Sequence, residues 1–116
     1  MIISRTPFRI TLGGGGTDLP SFYERHGGFV LTMAIDKYIY INLKPSALDT
    51  KVRLQYLTPE IVDDCSELKH TRAREALRLH NLRNSIEVNS IADLPASSGL
   101  GSSGSYLVGL LHAIRY

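Results

Sequence analysis

Apolar and polar residues alternate along several short stretches of the chain, and each such stretch predicts a β-strand. The clearest is 38–44, where three aliphatic side chains share one face and tyrosine, asparagine and lysine side chains share the other. Tyrosines are typical of a half-exposed sheet surface, although such a face can also stack on a base. Pro7 interrupts the first stretch, which predicts an edge strand or a bent strand. The remaining predicted strands cover 2–12, 29–33, 52–57 and 85–91.

Helical spacing predicts helices over 21–26, 68–82 and 106–114. Thr17 or Asp18 can cap the first of these helices, and two glycines follow its last residue. We expect the two aromatic side chains of this short helix to anchor it to the rest of the domain.

Two further helix signals lie between the strand at 52–57 and the helix at 68–82. The tripeptide Thr58-Pro59-Glu60 resembles a helix start, because proline fits the first turn. Asp64 and Glu67 have the spacing of a capping box. Strands and helices in this order, without repeats or an internal linker, predict an α+β fold with a single domain over 1–116.

Composition and charge exclude several classes of protein. The 116 residues are 43% apolar with a net charge of +2, which suits one globular domain and is too weakly basic to indicate a nucleic-acid partner. Cys65 is the single cysteine, the N-terminus lacks a secretory-signal layout, and no apolar run is long enough to span a membrane. We therefore expect a cytoplasmic protein. The apolar segment 106–116 stops without a helix cap, so we also expect the front part of a longer protein.

The loop Pro95–Ser105 contains three glycines and five serines and joins a predicted strand to a predicted helix. Unpaired amides and the positive dipole end at such a helix start can bind phosphate. Gly99, Gly101 and Gly104 match the dinucleotide-binding fingerprint, but its acidic residue roughly 20 positions later is missing. A Walker-type loop needs a lysine that this loop lacks. Phosphate would therefore be held by backbone amides and serine hydroxyls, and a purely structural turn remains the alternative.

A second glycine cluster lies in Thr6–Asp18, where Arg9 follows the proline by two positions and Asp18 follows Arg9 by nine. Together with Pro95–Ser103, this segment resembles the two N-terminal motifs of the GHMP small-molecule kinases. The resemblance spans essentially the whole chain. It implies a truncated N-terminal GHMP domain with a ribosomal-S5-domain-2-like fold, and a C-terminal GHMP domain that is absent. The sequence Gly-Gly-Gly-Thr-Asp is most similar to the branch that phosphorylates the anomeric hydroxyl of D-glycero-D-manno-heptose 7-phosphate, with L-fucokinases close by.

This resemblance implies transfer of the ATP γ-phosphoryl group, with Mg²⁺, to a hydroxyl of a sugar or sugar phosphate. Arg9 would be the catalytic cation, and Thr17 and Asp18 would bind the sugar. Ser102 or Ser103 would coordinate Mg²⁺. The residues implied to hold the nucleotide are Pro95, Ser97, Ser98, Gly99, Leu100, Gly101, Ser102 and Ser103.

Structural roles remain alternatives for the same side chains: a surface ion pair for Arg9, and helix capping for Thr17 and Asp18. The carboxylates that the family places after the second motif would lie beyond Tyr116, so we expect the isolated chain to be inactive. An RNA-binding module of S5-like fold, a non-catalytic domain that kept the loops, and a kinase of another small alcohol are the alternative functions.

Overall fold

The alternating stretches fold into strands of one mixed sheet in the computed structural model, which describes residues 1–96 and 98–116. The described residues form five strands and three α-helices. In chain order the strands are β1 (Ile2–Gly13), β2 (Leu31–Pro45), β3 (Val52–Gln55), β4 (Glu60–Val62) and β5 (Ile86–Ala92). The helices are α1 (Pro20–His26), α2 (Thr71–Leu79) and α3 (Ser102–Ile114).

The sheet has the strand order β1-β2-β5-β3-β4, and its neighbouring strands are antiparallel except for the parallel pair β3 and β5. The predicted face of β2 is buried, with Ile41 inaccessible to solvent, and the face that carries Tyr38 and Tyr40 is half-buried. α3 packs on the buried face of β1 and β2, and α2 packs against α3. These two layers enclose one apolar core and confirm the predicted α+β fold.

A long hairpin extends beyond this core. We call residues 9–34 the arm: it comprises the end of β1, a glycine turn, α1 and the start of β2. α1 contains no buried residue, and Phe22 and Tyr23 are exposed, so the prediction that its aromatic side chains anchor it is wrong. Eight large apolar side chains of the arm are exposed, namely Ile10, Leu12, Leu19, Phe22, Tyr23, Phe29, Leu31 and Met33.

The prediction that Thr58-Pro59-Glu60 starts a helix is wrong, because Glu60 begins strand β4. Its carboxylate accepts hydrogen bonds from the backbone amides of Lys69 and His70, at 2.6 and 3.1 Å. These contacts tie β4 to the segment before α2 and satisfy two amides near the helix start. The capping box of Asp64 and Glu67 is confirmed, although it caps a short 3₁₀ turn instead of the long helix.

Several other predicted boundaries differ from the structure: the strand predicted over 52–57 ends at Gln55, and the helix predicted over 106–114 starts at Ser102. Residues 31–33 of the stretch predicted over 29–33 and the whole stretch 38–44 belong to one continuous strand, β2, because its hairpin partner β1 extends along both. The helix predicted over 68–82 is shorter, since α2 starts after His70, whose side chain caps it. Within residues 1–96 and 98–116, no helix is long and apolar enough to cross a membrane.

Candidate phosphate-binding site

The loop before α3 presents backbone amides at the start of a thirteen-residue helix. Gly99 and Gly101 have φ angles of 76° and 74°, in the left-handed region where a Cβ is strained. The first helical hydrogen bond runs from the Ser105 amide to the Gly101 carbonyl oxygen at 3.0 Å. The amides of residues 102–104 therefore precede the helical hydrogen-bonding pattern, and no acidic side chain lies in this first turn. This arrangement favours an anion at the positive end of the helix dipole.

Arg9 lies directly against this loop. Its backbone amide donates to the Leu100 carbonyl oxygen at 3.3 Å. A Cβ added at Gly101 would lie 3.2 to 3.5 Å from Cγ, Nε and Cζ of Arg9, so the stem and guanidinium pack on the glycine backbone. The guanidinium also donates to the Thr11 hydroxyl at 2.7 Å and remains exposed. The structure thus brings together Arg9 and the glycine loop, which are far apart in the sequence.

A disruption of the β1–β2 ladder sets the direction of Arg9. Pro7 pairs with Tyr38 and Arg9 pairs with Ala34, so Phe8 alone faces three residues of β2. The Phe8 side chain is fully buried in the core. Successive strand residues point to opposite faces, and the ladder shifts at this point. The Phe8 side chain therefore anchors the strand in the core, whereas the Arg9 side chain is directed toward the loop.

A cavity of about 300 Å³ adjoins the loop at Pro95, Ala96 and Ser102. Tyr56 and Leu57 form part of its wall, and it reaches Pro95 and Ser102, two residues of the sequence-predicted site. The Tyr56 ring is held by edge contacts with His70 and Tyr106, at centroid separations of 4.6 and 5.2 Å. The complete lining is Ile39, Tyr56, Leu57, Ser90, Ala92, Asp93, Leu94, Pro95, Ala96 and Ser102.

This cavity and its aromatic support have no clear signature in the sequence. Tyr56 gave a weak signal as an aromatic residue at the end of a predicted strand, but its partners His70 and Tyr106 come from other elements. Burial lowers the pKa of His70 and raises the pKa of the Tyr106 hydroxyl, so both groups favour their neutral forms. The aromatic part of the wall, Tyr56 with its two neutral neighbours behind it, suits a flat aromatic ligand.

Thr17 and Asp18 lie in the arm, apart from the loop. The Thr17 hydroxyl lies 2.7 Å from the Gly14 carbonyl oxygen and accepts from the Phe29 amide at 3.1 Å, which closes the base of the glycine turn. One Asp18 carboxylate oxygen accepts from the Gly16 amide at 3.1 Å. Neither side chain caps α1, whose N-cap residue is Leu19 without a side-chain bond, so that prediction is wrong.

Asp18 nevertheless faces a separate open cavity of about 350 Å³, shared with Thr17, Tyr23, Gly28 and Val30. Strand geometry places the end of β1 about 13 Å beyond Arg9. In the described part of the chain, neither Thr17 nor Asp18 forms a hydrogen bond with Arg9 or with the loop. The candidate sugar-binding residues and the phosphate loop therefore lie in two separate places in this structure.

The other loop residues are at or near the surface. Ser98, Gly99 and Ser103 are exposed, and Leu100, Gly101 and Ser102 are half-buried. Ser97 lies outside the described residues. Among residues 1–96 and 98–116, no three His, Cys, Asp or Glu side chains form a group that could hold a metal ion. A cation at the loop would therefore need serine oxygens, phosphate oxygens and water as ligands.

Comparison with known proteins identifies relatives over nearly the whole chain. The chain is 28% identical over 123 aligned residues to the D-glycero-alpha-D-manno-heptose 7-phosphate kinase of Campylobacter jejuni, covering 97% of this chain and 36% of that protein. A solved structure of a D-glycero-D-manno-heptose 1-phosphate kinase from Bacteroides thetaiotaomicron has a TM-score of 0.80 at 24% identity, over 97% of this chain and 40% of that one.

A mevalonate kinase structure from Methanococcus jannaschii also matches, with a TM-score of 0.70 at 21% identity over 98% of this chain and 39% of that one. No protein-family model matches the chain. The structural matches show a shared fold. This chain spans less than half the length of each of these three proteins.

Proposed function

We propose that this chain, which resembles the GHMP small-molecule kinases in its motifs and shares their N-terminal fold, is the nucleotide-binding part of a sugar kinase. The observation that carries the proposal is the contact between Arg9 and Gly101 at the open start of α3. It puts a permanent cation beside a row of amide donors that have no helical acceptor. Both groups favour a polyanion such as a triphosphate.

The described residues fit ATP in two adjoining places. The apolar cavity beside Tyr56 would hold the nucleoside, and the amides of residues 102–104 would hold the phosphates. Ser102 lines the cavity and also starts α3, so it connects the two places. Ser102 or Ser103 would supply a hydroxyl ligand for Mg²⁺, which neutralises phosphate charge when bound.

The proposed reaction breaks the bond between the γ-phosphorus and the β,γ-bridging oxygen of ATP and forms a bond from that phosphorus to a sugar oxygen. The sugar hydroxyl loses its proton to a base or to solvent, and ADP leaves. Arg9 would stabilise the charge that develops on the phosphoryl oxygens during this transfer. Removing one such preorganised group typically lowers the rate by about 10² to 10³.

We propose the anomeric hydroxyl of D-glycero-D-manno-heptose 7-phosphate as the acceptor, with L-fucose as the alternative. The support is the relative from Campylobacter jejuni, which is named for that heptose, and the position of Asp18 in an open cavity. Asp18 would accept hydrogen bonds from sugar hydroxyls. Thr17 would hold the turn that carries Asp18, because its own hydroxyl bonds to backbone groups of the arm.

We further propose that residues 1–116 are the N-terminal part of a two-domain enzyme. Apolar residues that are exposed on one element, as on the arm, usually mark an interface. The relatives are more than twice as long as this chain, which leaves room for a second domain. In the protein of this chain, such a domain would cover the arm and bring Asp18 toward the loop. The residues that follow the second motif in the complete protein would also supply the catalytic carboxylate and the acidic Mg²⁺ ligand.

We also propose a cytoplasmic location, because reducing conditions there suit the buried free thiol of Cys65.

The test is ATP-dependent phosphorylation by the protein expressed from its complete reading frame. ADP release is measured with heptose 7-phosphate, with L-fucose and without an acceptor, beside the Asp18→Asn and Arg9→Ala variants. We expect release that depends on the heptose, a raised KM for the sugar in Asp18→Asn, and a kcat lowered by about 10² to 10³ in Arg9→Ala. Absence of turnover with either sugar, together with absence of nucleotide binding, would refute the proposal.

A further inference from the structure

Ser105 joins the start of α3 to the disrupted part of β1. Its hydroxyl donates to the Pro7 carbonyl oxygen at 2.9 Å, across 98 positions of sequence. The residue is 7% exposed, and its hydroxyl is engaged with β1. Ser105 therefore differs in environment from the two serines at the start of the helix, since Ser102 is half-buried and Ser103 is exposed.

Two hydrogen bonds flank the buried Phe8 and connect β1 to the loop. Ser105 donates to the carbonyl before Phe8, and the amide of Arg9, after Phe8, donates to the Leu100 carbonyl oxygen at 3.3 Å. The ladder between β1 and β2 is interrupted at this point. These two bonds to the loop thus take the place of regular sheet pairing at Phe8. They hold the β1 backbone on both sides of Phe8, including the backbone of Arg9.

One turn further along α3, Gly109 lets the helix approach β1 closely. A Cβ there would lie 2.8 Å from the Thr6 hydroxyl oxygen and 3.2 Å from the Ser4 hydroxyl oxygen. The Ser4 hydroxyl donates to the Gly109 carbonyl oxygen at 2.7 Å in the buried interface. This second serine bond joins the same two elements, but it lies about 6 Å further along the helix axis from the loop.

We propose that Ser105 is a positioning residue that sets the distance between Arg9 and the amides at the start of α3. This inference rests on the proposed kinase function. Loss of the hydroxyl leaves the Pro7 carbonyl without its donor and frees the β1 segment that carries Arg9. Misplacement of a reacting group by about 1 Å can lower a rate by about 10². The binding amides belong to α3 itself, so nucleotide affinity changes much less than kcat.

The test compares Ser105→Ala with Ser4→Ala in the protein from the complete reading frame. Each change removes one buried serine hydroxyl between β1 and α3, and only the first touches the segment beside Arg9. Without nucleotide, we expect hydrogen exchange at the Arg9 amide to become at least about 10-fold faster in Ser105→Ala and to stay unchanged in Ser4→Ala. Ser105→Thr, which keeps a hydroxyl, should restore slow exchange.

With ATP and sugar, we expect Ser105→Ala to lower kcat by about 10 to 100-fold while the KM for ATP stays within about twofold. Because Ser105 acts through Arg9, the double variant Arg9→Ala/Ser105→Ala should be no slower than Arg9→Ala alone. Ser105→Cys fills the same space with a weak donor and replaces Ser105→Ala if that variant does not fold.

Additive losses in the double variant, or an equal fall of kcat in Ser4→Ala, would overturn the positioning role while leaving the kinase function in place. Unchanged exchange at Arg9 in Ser105→Ala would overturn it as well. Absence of phosphoryl transfer by the unaltered protein would instead overturn the proposed function, and the role of Ser105 with it.

Discussion

Replacing Gly101 by alanine perturbs the contact on which the proposed function rests. Gly101 has a φ of 74° at the N-cap of α3, and an added Cβ would lie 3.2 Å from Cγ and 3.3 Å from Nε of Arg9. The change therefore has two separate effects. It strains the backbone of residue 101, and it pushes the Arg9 side chain away by a few tenths of an ångström.

The chain offers a matched control for the first effect. Gly99 has a φ of 76°, and its Cβ would meet nothing within 4 Å in the described structure. A non-glycine residue in the left-handed region costs about 1–2 kcal/mol. At an unfolding entropy of about 2.1 cal/mol/K per residue, this cost lowers the Tm of the 116-residue chain by about 4–8 °C. Gly99→Ala and Gly101→Ala should therefore lower Tm by similar amounts.

The catalytic consequence should differ between the two variants. Because only the alanine at 101 displaces Arg9, we expect Gly101→Ala to reduce kcat by a further factor of about 10 to 100 relative to Gly99→Ala. Tm is measured by circular dichroism on the chain, and kcat by ADP release from the protein of the complete reading frame. Equal kcat values in the two variants would refute the role of the Arg9 contact, and an unchanged Tm in both would refute the strain argument.

Three further predictions concern stability, measured as the free energy of unfolding in urea. Burial lowers the pKa of His70 below its usual 6.5, and its ring nitrogen accepts from the Ala73 amide, so the neutral form stabilises the fold. Stability should hold above pH 6.5 and fall as the pH drops below it, and His70→Asn should flatten that slope. Tyr106→Phe should raise stability by about 1 kcal/mol, because its buried hydroxyl lacks a partner in the described residues. Gly109→Ala should cost about 1–3 kcal/mol through overlap with Thr6, whereas Gly104→Ala, in open space on α3, should be neutral or stabilising.

The strands and the loop could be predicted from the sequence because local signals determine them. Alternation in 38–44 identified the buried face of β2, and the glycine and serine content of 95–105 identified a helix start with open amides. The two motifs also predicted the N-terminal GHMP fold, which the structural relatives confirm. In each of these cases the local preference and the tertiary environment agree.

The wrong predictions involve residues whose partners are distant in the sequence. Thr58-Pro59-Glu60 has the composition of a helix start, but Glu60 instead accepts hydrogen bonds from the segment before α2. Thr17 has the composition of an N-cap, but its hydroxyl bonds to Phe29 across the arm. A single sequence carries no local sign of either partner, and the same is true of Ser105 and Pro7.

The central claim is that the start of α3 and Arg9 together hold the triphosphate. Hydrogen exchange of the protein from the complete reading frame, measured with and without ATP and Mg²⁺, tests this claim most directly. We predict that nucleotide slows exchange chiefly at the amides of residues 102–104, which have no helical acceptor. Exchange at these amides that is unaffected by saturating ATP, or protection confined to the arm, would contradict the account.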